Sequence, residues 1–170
     1  MEDEMKNLFI GIIAVSMCLG FAGTAAAASS ATQTVNYQVS EINELSVSGH
    51  PADMVISTAT AGSEPDEVIE DTTTYAISTN CTNKKITADI DSEMPAGVTL
   101  KINLAEPTGA VSSGDVDISS ATVNSIDVVT GISKVAESGL SIIYKLSAVV
   151  AAGHVPLSDR VITLTIIDAL

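Results

Sequence analysis

The sequence predicts an all-β protein, an Ig-like antiparallel β-sandwich of about seven to nine strands. Three observations carry that expectation. Short runs alternate apolar and polar side chains at the two-residue period of half-buried strands; the runs are rich in Val, Ile and Thr; and Gly, Pro, Asp, Asn and Ser separate them. No amphipathic helical period stands out beyond the first 28 residues. A closed barrel is the alternative architecture. The Cys and Trp markers of antibody domains are absent, so the expectation concerns architecture rather than membership of that family.

Residues 1–28 read as a cleaved secretory signal peptide, leaving residues 29–170 as a single sandwich domain. The apolar stretch "LFIGIIAVSMCLGFAG" is followed by the small residues of "TAAAASS", which suits cleavage near Ala27 or Ala28 and a new terminus at Ser29 or Ser30. Three acids in "MEDE" stand where a signal is normally positive. Initiation at Met5 would restore an ordinary opening, "MKNLFIG". A membrane anchor is the weaker reading, because the apolar run is short for a bilayer span. Met17 before Cys18 is too large for lipoprotein processing.

Removing residues 1–28 takes three acids and one base from totals of 21 and 7, so the remaining chain carries a net charge of −12. A surface of that sign disfavours nucleic acid, whose affinity comes from Lys and Arg on phosphates, and disfavours anionic lipid. Phe9 and Phe21 both fall in the leader and there is no Trp. Only Tyr37, Tyr75 and Tyr144 remain as aromatics, which counts against sugar and single-strand binders that stack ligands on aromatic faces. Cys81 is the one cysteine left, so no intrachain disulfide forms, and burial is its expected state.

The first alternating run, "TQTVNYQVS" at residues 32–40, sets Val35, Tyr37 and Val39 against Thr34, Asn36, Gln38 and Ser40. Alternation lapses at residues 42–44 and resumes at Leu45 and Val47, as at a bulge, before Gly49–Pro51 breaks it. Residues 52–60 form a second expected strand with Met54 and Ile56 inward, and residues 61–71 a solvated loop. Residues 72–80 put Tyr75 and Ile77 on one face; residues 84–91 put Ile86, Ala88 and Ile90 inside and Lys85, Thr87, Asp89 and Asp91 outside. Pro95 and Gly97 suit a tight turn, so residues 84–91 and 98–104 are expected to pair as a hairpin, with Lys101 beside Asp89 and Asp91. Val116 and Ile118 mark a short edge strand, and Val128, Val129 and Ile132 another strand. The last two runs, "GLSIIYKLSAVVA" and "RVITLTIID", are apolar on much of both faces and are expected at the centres of their sheets.

Little in the chain suggests catalysis. His50 and His154 each sit beside a loop Pro or Gly, and no nucleophile elbow, metal-protease helix or phosphate-cradling loop is present, so no catalytic residues and no enzyme are expected. Calcium is the one cofactor the acids would suit: Asp89 and Asp91 in "DIDSE" and Asp115 and Asp117 in "GDVD" supply hard oxygen ligands. The same alternate acids also describe the outer face of a strand. "NCT" makes Asn80 a glycosylation candidate if the host route has the transferase.

With its signal, the segment "TVNYQVS" near the new terminus, its aliphatic strands and the terminal "VITLTIID", the chain resembles exported sandwich proteins of fimbriae and filaments that polymerise by donor-strand exchange. That resemblance implies a secreted, cell-surface or periplasmic structural protein whose partners are itself or related surface subunits, with no membrane insertion after cleavage. It makes Val35, Tyr37 and Val39 the strand-exchange candidates, filling pockets along a neighbour's sheet edge. The alternatives are that residues 32–40 open the chain's own sandwich, and that the protein is a soluble secreted binding or accessory module, with or without a dependence on calcium.

Overall fold

The computed structural model describes residues 30–121 and 125–169. The expected signal peptide and cleavage point lie outside them. The chain divides into two compact units, Met1–Gln38 and Val39–Leu170. Within the first, residues 30–38 hold no strand and are exposed throughout. The second contains every strand found among the described residues.

That unit is nearly all β. Its strands are β1 (Asn43–Val47), β2 (Val68–Thr79), β3 (Lys84–Ile90), β4 (Val98–Leu104), β5 (Val111–Ser112), β6 (Val116–Asp117), β7 (Ile126–Ile132), β8 (Val135–Ala148) and β9 (Ile162–Asp168). Among the described residues there is no α-helix, only a 3₁₀ turn at Val150–Ala152, and no helix long and apolar enough to cross a membrane. One antiparallel sheet has the order β1-β2-β8-β4-β6 and the other the order β5-β7-β3-β9. From β2 onward every connection passes from one sheet to the other.

The sheets share an aliphatic core. Tyr75, Ile77, Leu100, Ile102, Leu104 and Ile142 come from the first; Ile86, Ala88, Ile90, Val128, Val129 and Ile132 come from the second. Alternation explains most of this, because each strand turns every second residue inward. Val128 and Val129 break the period and are both fully buried. Opposite them the β3–β7 register shifts between Ile86 and Thr87, the irregularity that lets adjacent residues face one way. Tyr75, the fully buried aromatic of the described core, donates its hydroxyl to the Ala105 carbonyl, and burial pushes that phenol up from its ordinary pKa.

Several expected pairings are corrected. Residues 84–91 and 98–104 do not form a hairpin: β3 pairs with β7 and β9, whereas β4 pairs with β8 and β6. The turn at Pro95 exists, with the Val98 amide donating to the Pro95 carbonyl, but it carries the chain around the end of the sandwich. Gly97 stands there at φ +81°, where a Cβ would meet Val149 Cγ2 at 3.0 Å. Lys101 accordingly lies opposite Asp117, not beside Asp89 and Asp91. Thr87, expected outside, is buried between its neighbours Asp127 on β7 and Thr165 on β9. Residues 32–40 are not a strand of this chain's sheets. Residues 52–60 run past the start of β2 without becoming a strand, joined by an isolated bridge between Ala59 and Pro65, and Val68–Asp71 extend β2 instead of looping. A register shift in β2 between Glu70 and Thr73 disturbs the ladder that a regular neighbour would need. Finally, β8 is central as expected, while β9 is an edge.

Candidate functional site

Four strands end the two sheets: β1 and β6 in the first, β5 and β9 in the second. β5 and β6 are two residues each, too short to guide a partner. β1 and β9 approach each other on one flank of the sandwich. There the inward-facing Leu45, Ile162, Leu164 and Ile166 pack against the core but stay half-buried, unlike Ile86 and Ile102 deeper in the sheets. These flank side chains are less completely covered than those at the centre of the core.

A charged pin closes one end of the flank. Lys84 begins β3 in the inward phase of that strand, with its side chain only 7% exposed, and its Nζ lies 2.6 Å from Asp168 Oδ1 and 2.8 Å from Glu41 Oε1. The hydrogen bonds that Lys84 donates to Asp168 and Glu41 push its ammonium up from its ordinary range, and the Lys84 bond, with a second from Asn43, lowers the Glu41 carboxyl to about 2. Asn80 adds a strap. Its Nδ2 donates to the Ser40 carbonyl at 2.8 Å and its Oδ1 accepts the Ile42 amide at 2.9 Å. The segment that leads into β1 is thus fixed to the ends of β2, β3 and β9. Sequence reasoning missed this role for Lys84, Glu41 and Asp168. One signal was available: Lys84 shares the odd-even phase of Ile86, Ala88 and Ile90, an unusual place for an ammonium without partners.

Ahead of that root, the strand-exchange candidates are exposed: Val35 by 73%, Tyr37 by 92% and Val39 by 78%. Three apolar side chains at alternate positions are thus left uncovered.

The calcium candidates are held apart by local duties. Asp89 Oδ1 accepts the Ile90 amide and Asp91 Oδ1 accepts the Val161 amide, both beside β3. Asp115 pairs with Lys145 and accepts from Asn103 at 3.0 Å, and Asp117 Oδ1 accepts the Ser119 amide, both beside β6 in the other sheet. Among the described residues, no three His, Cys, Asp or Glu side chains converge as a metal site. His50 and His154 are both exposed, and Cys81 is half-buried in the turn between β2 and β3. Asn80 is exposed, though its side-chain nitrogen is the one that straps Ser40. Compared in sequence with protein-family models and with curated proteins, the chain matches none.

Proposed function

We propose that this chain is an exported, non-enzymatic structural subunit that joins copies of itself, or related surface subunits, into an extracellular or cell-surface filament or matrix by β-strand addition. The carrying observation is the exposed alternation of Val35, Tyr37 and Val39 in a segment that none of the chain's sheets includes. An isolated strand has no stable use for three apolar side chains in water; a sheet edge over a less completely covered core supplies both hydrogen bonds and pockets. Five- and four-stranded antiparallel sheets over an aliphatic core support placing the fold with Ig-like sandwiches as part of the same reading.

Deletion of residues 30–40 tests the function. Size exclusion and negative-stain microscopy should show assemblies for the intact chain and a folded monomer for the deletion variant, with unchanged far-ultraviolet dichroism. Assemblies that survive the deletion, or an intact chain that stays monomeric at every concentration, would refute it.

A further inference from the structure

Resting on that reading, we infer that the acceptor for residues 35–39 is the open edge of β9 in a second copy of the chain, in the antiparallel register Val35 opposite Ile166, Tyr37 opposite Leu164 and Val39 opposite Ile162.

The backbone of β9 identifies the receiving groups. The Asp91 amide donates to the Val161 carbonyl at 3.0 Å, and the Ala169 amide donates to the Asn83 carbonyl at 2.8 Å. Both pairs continue the β3–β9 register, which runs without a shift from Lys84 opposite Asp168 to Ile90 opposite Ile162. In an antiparallel ladder a residue directs its N–H and C=O to the same side, and the next residue directs both to the other. Odd-numbered positions of β9 therefore bond β3, and Ile162, Leu164 and Ile166 direct their N–H and C=O toward the open edge. These are the three residues whose side chains point inward and remain half-buried. One set of positions thus offers both free backbone groups and an uncovered apolar row.

The exposed segment matches that row in number, spacing and charge. It offers three apolar side chains at alternate positions, and opposite residues of a strand pair face the same way, so all three would cover the flank together. Residues 29–40 carry no charge, and neither do Ile162–Ile167, so the contact brings together the neutral parts of a strongly acidic molecule. β9 also lacks the Lys and Pro residues with which natural edges discourage pairing. β1, the other edge on this flank, is a poorer acceptor: its bonds from Ser48 to Thr74 and from Asn80 to Ile42 direct Asn43, Leu45 and Val47 outward, and of these only Leu45 is a half-buried apolar residue. An edge on one copy filled by a segment of the next is a head-to-tail contact, which propagates into a filament.

The register places Asn36 opposite Thr165 and Gln38 opposite Thr163 on the outer face, as non-hydrogen-bonded pairs whose Cα atoms would lie about 4.5 Å apart, within disulfide reach. The test uses the full chain with Cys18→Ser and Cys81→Ser, carrying either Asn36→Cys with Thr165→Cys or Gln38→Cys with Thr163→Cys; a third chain pairs Asn36→Cys with Ser46→Cys on β1. After mild oxidation, both β9 pairs should give a covalent ladder on a non-reducing gel and the β1 pair should not. Monomers bridged within one chain would overturn the inference, as would a ladder from the β1 pair alone. Assemblies that form without either β9 crosslink would reject the acceptor and leave strand addition standing. Chains that never assemble would reject both.

Discussion

Lys84 shows how one residue can join the two edge strands at one end of the flank. Its aliphatic stem is buried beside β7 and β9, and its ammonium reaches Glu41 ahead of β1 and Asp168 at the end of β9. The contribution has a pH window. Glu41 has a folded pKa of about 2, below its ordinary 4.5, so its bond stabilises fully above 4.5 and is lost as pH falls toward 2. The Lys84 ammonium is raised above its ordinary 10.5, so its share is complete below that value and is lost as pH rises through the folded pKa. Glu41 is largely exposed, so solvent and salt weaken its half of the pin. A Lys84→Met variant keeps the buried stem and removes the charge. Its melting temperature should fall furthest below that of the native chain between about pH 5 and 10, and the gap should narrow by about half or more at pH 2. A constant gap across this range would show that Lys84 acts through packing alone.

At the level of strands, facing was legible and partnership was not. Ile86, Ala88 and Ile90 are inward, as are Ile162, Leu164 and Ile166, because alternation records which side of a strand meets the core. Alternation carries no information about which strand lies alongside. Pro95 and Gly97 provide a turn that suits a hairpin, yet it joins β3 in one sheet to β4 in the other. Where every link from β2 crosses between sheets, no local turn can reveal a neighbour. The same limit applies to the candidate site: the pattern of Val35, Tyr37 and Val39 could be read, whereas its exclusion from the sheets and the edge position of β9 required the fold. The derived backbone phase makes a contrast available within β9. Leu164→Pro removes an amide that points away from β3, so it should cost the fold about 1–3 kcal/mol, chiefly from lost side-chain packing, and abolish assembly. Thr165→Pro removes an amide directed at Thr87, a ladder bond of the sheet itself, and should cost more. Urea unfolding of both variants checks the ranking; a larger loss for Leu164→Pro would show that the phase is reversed.

For the whole molecule, charge opposes what the neutral edge promotes. With a net charge of −12 over residues 29–170, two copies repel over distances set by the ionic strength. The screening length falls from about 30 Å at 0.01 M salt to about 8 Å at 0.15 M. Residues 29–40 and Ile162–Ile167 are uncharged, so added salt weakens the repulsion between bodies without removing an attraction at the contact. Acidification is a less clean probe, because it also releases the Glu41 bond that helps fix the root of the donor segment. Raising NaCl from 0.01 M to 0.15 M at pH 7 should therefore accelerate assembly by about tenfold, read as light scattering from freshly diluted protein. A mechanism built on ion pairs between copies would slow under the same change. The sign of the salt effect thus separates neutral strand addition from electrostatic association, and the Leu164→Pro chain, which retains the acidic surface without a usable acceptor edge, should scatter no light at either concentration.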